Sequence, residues 1–281
     1  MNARSVQAPS SLLKGEVSKL PLLLTKAAER AGSQSPLIVL HGANGSASDM
    51  QPLLERLPSD RPVIALDWLG HGGRPIPDAL CIEEIGADLI AQMDARGVPA
   101  AHLFGFSVGG LLALWLAVHY PKRVLSVATL TAKFIYNEAA IAHATHLTSA
   151  ERLLRSNPER VEALERMHAP QDWQELIRKV RNMFIAFAER PPLTPGEIAG
   201  ITQPVLAFGA LEDPLVPAAE VLELARLLPN ATPALFPGSA HPLAQAPLDT
   251  IVRTLHRFIE NPVSMQRSAR VKLTDFRWDR A

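Results

Sequence analysis

A single cysteine, Cys81, stands in a chain of 281 residues, so no internal disulfide can form. Without a partner thiol it is a poor nucleus for a metal cluster as well. It opens the helix-like run Cys81-Ile82-Glu83-Glu84-Ile85, the setting of an inert structural thiol. An excess of charge of either sign is also missing. Lys and Arg total 28, Asp and Glu total 28, and such a balance gives no overall field to attract nucleic acid or an anionic membrane. Long apolar runs are absent too. The most apolar stretch near the N-terminus, Leu20-Pro21-Leu22-Leu23-Leu24, is shorter than a secretory signal core, and nothing approaches a membrane span. There is no internal repeat and no low-complexity tract. These absences together lead to the expectation of a soluble, cytoplasmic protein that acts on a small, uncharged or weakly charged molecule.

What is present is an ordinary globular composition, 47% hydrophobic and 20% charged, long enough to bury a core without covalent staples. Short β-branched runs stopped by glycine alternate with helical patterns. Leu37-Ile38-Val39-Leu40 runs into His41-Gly42-Ala43-Asn44-Gly45, and Val63-Ile64-Ala65-Leu66-Asp67 is followed by Gly70-His71-Gly72-Gly73. His102–Phe106, Val124–Leu130 and Val205–Phe208 are further strand candidates, and Thr232–Phe236 reads as an edge strand broken by Pro233. Helices are predicted over Ser48–Leu57, Glu83–Arg96, Leu111–Tyr120, Ala218–Leu228 and Pro247–Ile259. Nearly continuous apolar strands alternating with helices imply an α/β fold, with a mostly parallel central sheet covered on both faces.

One stretch interrupts the alternation. Between Phe134 and Gly200 there is no strand candidate, only charged helical segments, clearest at Leu153–His168 and Trp173–Arg190. We read residues 1–133 and 201–262 as one core domain, 134–200 as a small helical cap inserted into it, and 263–281 as a C-terminal tail. The tail carries Arg267, Arg270, Lys272, Arg277 and Arg280 against Asp275 and Asp279. Scattered charges of this kind make a solvated tail or a subunit contact rather than a nucleic-acid groove, and leave a homo-oligomer open.

The chemistry concentrates at Gly105-Phe106-Ser107-Val108-Gly109, a G-x-S-x-G run with a strand before it and a helix after it. A serine on so sharp a turn needs small flanking residues, and the turn lifts its hydroxyl clear of the sheet toward the positive end of the next helix. A serine hydroxyl needs a base to become nucleophilic. Of the nine histidines, His241 lies in a loop between the last strand and the last helix, from where it can reach across the strand ends. His102 and His119 fall at the wrong edge of the sheet, His256 lies inside a helix, and His143, His146 and His168 belong to the cap, where they are expected to face water. The base in turn needs an orienting carboxylate. Asp213 and its neighbour Glu212 both lie just past the strand Val205–Phe208 and are rival candidates, of which the family resemblance set out next implies Asp213, while Asp67 reads as a turn-stabilising residue. The oxyanion needs N–H donors, expected from the backbone of Val108 and, in the loop after the first strand, of Ala43; His41 then shapes that loop.

The order Ser107, Asp213, His241 and the pieces His41-Gly42, Asp67-Trp68-Leu69-Gly70-His71-Gly72, Gly105–Gly110, Gly209–Asp213 and His241-Pro242 make the chain resemble the α/β-hydrolase family over about residues 35–260. The resemblance implies about eight strands, a triad at their carboxyl ends and a variable cap. Leu69 departs from the family's usual proline, and Ser107 argues against the members with an aspartate or cysteine nucleophile. The expected activity is hydrolysis of an ester, thioester or lactone through an acyl-enzyme, with neither metal nor organic cofactor. Two alternatives remain. One is carbon–carbon hydrolysis of a diketone, for which Lys133 would be a better-placed cation than Arg178, Lys179 or Arg181 of the cap. The other is a slow-turnover small-molecule receptor on the same fold.

Overall fold

Six strands lie side by side in the computed structural model, which describes residues 34–238 and 241–262. They are β1 (Leu37–Leu40), β2 (Val63–Leu66), β3 (Ala101–Phe106), β4 (Val124–Leu130), β5 (Val205–Ala210) and β6 (Ala231–Phe236). The spatial order is β2-β1-β3-β4-β5-β6 and every pairing is parallel. The eight strands implied by the resemblance are thus six among the described residues, and the expected C-terminal tail lies outside them. From β1 the chain steps outward to β2, then returns to β3 on the other side of β1. That reversal opens a crevice at the carboxyl ends of β1 and β3, the place where open α/β sheets bind ligands.

The strands are apolar because they are covered twice. In β1, Ile38 and Leu40 belong to one core layer while Leu37 and Val39 belong to the other, as side chains alternate across a strand. The first layer is closed by α2 (Ile82–Asp94) and α3 (Val108–His119). Helix α3 is buried from Val108 to Ala117, which explains its lack of a polar face. The second layer is closed by the short α1 (Gln51–Leu54) and by α10 (Leu248–Glu260). Helix α10 turns Leu248, Ile251, Val252, Leu255, Phe258 and Ile259 inward at helical spacing. Truncating any fully buried leucine in these layers to alanine is expected to cost about 2–5 kcal/mol.

Strand β6 is continuous, contrary to the expected break at Pro233, which pairs with Ala207. The hydrogen bonds explain the difference. Val205 N–H donates to the Asn230 carbonyl and Leu211 N–H to that of Phe236. The even-numbered residues of β6 therefore face β5 and Pro233 faces outward, so the donor that proline lacks is not needed.

Five helices stand between β4 and β5: α4 (Glu138–Leu147), α5 (Ala150–Ser156), α6 (Pro158–His168), α7 (Trp173–Glu189) and α8 (Pro195–Ala199). Each has a side-chain N-cap, from Asn137, Ser149, Asn157, Asp172 and Thr194 respectively. The helix expected over Leu153–His168 is two helices. Asn157 ends α5 and caps α6 through the Arg160 N–H, and Pro158 fits the first turn of a new helix rather than the interior of an old one. Helix α7 joins the insertion to the core through Leu176, Val180, Met183, Phe184 and Phe187.

A second junction is aromatic and polar. His41, Trp68, His71 and His168 are all fully buried. His41 and Trp68 stack at 5.1 Å, Trp68 and His71 approach at 3.7 Å, and His168 meets His71 edge-on at 5.7 Å. The expectation that His168 faces water is thereby corrected. It ends α6, where its Nδ1 accepts the Gly72 N–H at 3.2 Å, and a buried acceptor for a loop amide is worth more than exposure. Nearby, Arg160 donates to the Asn44 carbonyl at 2.9 Å, tying α6 to the loop after β1. His41 and His71 donate from Nδ1 to the carbonyls of Gly42 and Leu69, which shapes both loops.

Burial holds these three imidazoles in the neutral form. It lowers the pKa of His41 and His71, and takes that of His168 to about 4. The unfolded chain binds these protons nearer 6.5. Between those values it therefore carries more protons than the fold, and stability falls as pH falls through that window. Chemical denaturation from pH 7.5 to 4.5 is expected to show this decline. His168→Gln, which keeps an acceptor for Gly72, should flatten it by up to about 1.4 kcal/mol per pH unit; an unchanged slope would mean that His168 is not buried neutral.

Candidate active site

Ser107 directly follows β3 and stands at the N-terminus of α3 with φ 53° and ψ −119°, backbone space that a residue with a side chain rarely enters. The neighbouring glycines make the turn possible. A Cβ on Gly105 would lie 2.2 Å from the Gly109 carbonyl oxygen, and one on Gly109 would lie 2.5 Å from the carbonyl oxygens of both Leu40 and His41. Helix α3 therefore folds back against β3 and β1 at backbone contact distance. Ser107 N–H donates to the Leu130 carbonyl at 2.9 Å, which anchors the turn to β4.

Asp213 and His241 come to Ser107 from beyond β4, after β5 and β6 respectively. Asp213 follows β5 and is only 5% exposed, whereas its rival Glu212 is exposed. Its Oδ1 accepts the Leu215 and Val216 N–H groups at 2.8 and 3.0 Å, and its Oδ2 accepts from His241 Nδ1 at 2.8 Å. Burial pushes this carboxyl's pKa up, but the hydrogen bond and charge of His241, with the two backbone donors, outweigh it and hold the group below the usual carboxylate value. With the Nδ1 proton committed to Asp213, His241 Nε2 is left as an acceptor, and it lies 3.0 Å from Ser107 Oγ. Three residues spread over a span of 134 positions thus form one hydrogen-bonded relay.

The other candidates lie elsewhere. His102 contacts Ser126 Oγ at 2.8 Å near the amino end of β3, His119 stacks on Trp115 at 4.0 Å, and His256 faces Asp60 at 3.5 Å. His143 and His146 are exposed on α4, and His143 borders the cavity described below. Asp67 accepts the Ala47 N–H at 2.7 Å and holds the loop after β1 in place. Cys81 stands just ahead of α2 without a side-chain capping bond, and burial raises its thiol pKa, which disfavours the reactive thiolate. Among the described residues Asp60, His256 and Glu260 could together approach a cation, but none borders the cavity and Glu260 is already engaged by Arg61.

Ala43 and Val108 flank the serine. Val108 is the first residue of α3, so its N–H is among those that an α-helix leaves without an internal acceptor. Ala43 follows Gly42, which packs so closely that a Cβ there would lie 3.4 Å from that of Ser107.

Ser107 and His241 open into a cavity of about 670 Å³ between the strand ends, the insertion and α9 (Ala218–Leu227). Its wall is mainly apolar, with Phe106, Ile135, Tyr136, Phe184, Leu215 and Val216 prominent. One ion pair interrupts it. Lys133, just past β4, donates to Glu220 Oε2 at 2.7 Å, and Glu220 Oε1 accepts the N–H groups of Phe134 and Ile135 at 2.9 Å each. Lys133 was visible in the sequence, but Glu220 was not: on an amphipathic helix it looks like any solvated glutamate, although it is buried. Arg178, by contrast, pairs with Glu175 on the exposed face of α7.

Comparison with known proteins agrees with this geometry. A family model described as the alpha/beta hydrolase fold matches residues 35–183. A pimeloyl-[acyl-carrier protein] methyl ester esterase of Neisseria meningitidis is 37% identical over 102 residues, which is 36% of this chain and 38% of that protein. An enzyme of the same name from Aliivibrio salmonicida is 25% identical over 252 residues, covering 82% of this chain and 94% of that one. The crystal structure of an enol-lactonase from Burkholderia xenovorans superposes with a TM-score of 0.66 at 20% identity, over 83% of this chain and 94% of that one. No helix among the described residues is long and apolar enough to cross a membrane. With a parallel sheet whose order of strand addition reverses between β1 and β3, a serine on a strained turn after β3 and a family model matching more than half its length, the chain belongs to the α/β-hydrolase fold family.

Proposed function

We propose that the chain is a serine hydrolase of small-molecule esters, thioesters or lactones, working through an acyl-enzyme. The observation that carries this reading is the unbroken relay from Asp213 through His241 to Ser107 Oγ, at 2.8 and 3.0 Å, opening into an apolar cavity. Relatives named as a methyl ester esterase and an enol-lactonase support the bond type.

The steps follow from the atoms. His241 Nε2 takes the Ser107 hydroxyl proton as Oγ attacks the substrate carbonyl. Asp213 stabilises the resulting imidazolium and keeps its ring in register. Negative charge on the carbonyl oxygen is assigned to the Val108 and Ala43 N–H groups, the residues that flank the serine, each such donor being worth about 3 kcal/mol in the transition state. Collapse expels the alcohol, which takes its proton from His241. A water molecule, deprotonated by the same nitrogen, then releases the acid. The cycle draws on this chain's side chains and backbone alone. The segment between β4 and β5 acts as the cap, walling the acyl or alcohol side of the cavity through Tyr136, just ahead of α4, and Phe184 of α7. The carbon–carbon reading relied on Lys133 as a free cation, and its engagement by Glu220 weakens that reading.

A fluorophosphonate probe is expected to add once, on Ser107, as read by intact mass and peptide mapping. Ser107→Ala and His241→Ala should both abolish the adduct and lower ester turnover by at least about 10³-fold. An adduct on another residue, or none on folded protein, would overturn the assignment. Asp213→Asn should keep the fold but lower kcat by about 10⁴-fold, because an amide cannot stabilise the imidazolium or dictate its tautomer; steady-state kinetics on a p-nitrophenyl ester measures this, and a loss below tenfold would remove Asp213 from the relay.

A further inference from the structure

The Lys133–Glu220 pair is more than a strut, because of where it lies and what it leaves unused. Lys133, Glu220 and Glu223 are the only Lys, Arg, Asp or Glu side chains bordering the cavity among the described residues. Glu223 is engaged twice by Arg226, at 2.7 Å each. Glu220 is engaged at both oxygens, one by two backbone N–H groups and the other by Lys133. Lys133 has donors to spare. Its ammonium carries three donors, and Glu220 is its one hydrogen-bond partner among the described residues. Its side chain keeps 19% of its surface accessible against 6% for Glu220. In the cavity wall the pair is therefore a donor without net charge.

We infer that the Lys133–Glu220 pair selects substrates bearing a neutral hydrogen-bond acceptor, such as a ketone or amide carbonyl, distal to the scissile carbonyl, and rejects substrates with a carboxylate there. The inference rests on the hydrolase reading and names the substrate class for that site. A neutral carbonyl satisfies a free ammonium donor without bringing charge into an apolar cavity. A carboxylate must shed its hydration for a lysine whose charge is already neutralised, next to the carboxylate that neutralises it. Position agrees as well. Phe106 pairs with Leu130 in the sheet, so the segment carrying Lys133 leaves β4 beside the strand end that carries Ser107.

The test measures kcat/KM of the full chain at pH 8 on p-nitrophenyl esters of equal acyl length. One is plain, a series carries a keto group at successive positions, and one ends in a carboxylate. The wild type should favour the best keto ester over the plain one roughly tenfold or more, and the plain one over the carboxylate by a similar factor. Lys133→Met should bring the keto-to-plain ratio close to one. Glu220→Gln retains an acceptor for the Phe134 and Ile135 N–H groups but frees the lysine's charge, and should shift the carboxylate-to-keto ratio toward the carboxylate roughly tenfold or more. Should Glu220→Gln fail to fold, the wild-type series and Lys133→Met decide. Turnover of plain esters with no keto preference at any position overturns the inference alone. So does a Lys133→Met variant in which all esters fall together with the ratio kept, the mark of a purely structural pair. No turnover of any ester, with no labelling of Ser107, overturns the hydrolase reading and the inference with it.

Discussion

The close approach of α3 to the ends of β1 and β3 is the constraint from which the site follows. Backbone meets backbone at Gly105 and Gly109, where no Cβ can be accommodated. That contact forces Ser107 into left-handed φ, and the surrounding sheet must hold it there. It does so by burying α3 almost completely and by the bond from Ser107 N–H to Leu130. The same contact fixes Val108 at the helix start and brings the loop after β1 alongside. The placement of the serine, the helix end and the flanking loop are thus consequences of one packing decision.

The partners of the serine are positioned by different means. Asp213 is fixed by the two backbone N–H groups of Leu215 and Val216, a local turn that needs no distant support. His241 is held by Asp213 on one nitrogen and faces the serine with the other. The loop carrying Ala43 depends on longer-range contacts: His41 in its aromatic stack, Asp67 on the Ala47 N–H, and Arg160 of α6 on the Asn44 carbonyl. The insertion therefore contributes to the floor of the site as well as to its roof.

The strands and the three relay residues were legible in the sequence because their signals are local. A G-x-S-x-G run between a strand and a helix encodes its own geometry, and Asp213 and His241 each follow a recognisable strand. What was not legible depends on partners far away in sequence. Glu220 is buried because Lys133, 87 positions earlier, and the two backbone amides that follow that lysine donate to its carboxylate. His168 is buried because the Gly72 amide, 96 positions away, needs an acceptor. Apolar periodicity carried past Asn157 hid the break that Pro158 encodes, and Pro233 looked like a strand breaker because facing direction in β6 is set by β5.

The outward orientation of Pro233 also bears on how this protein meets other copies of itself. A sheet ends in rows of unpaired amides that invite another strand to dock. At one end here, β2 offers only the four residues Val63–Leu66. At the other, the rim of β6 lacks a donor at Pro233, midway along its length. Among the described residues, neither border is a good template for growth by strand addition, and the six-stranded parallel sheet limits edge-to-edge docking there without being closed into a barrel.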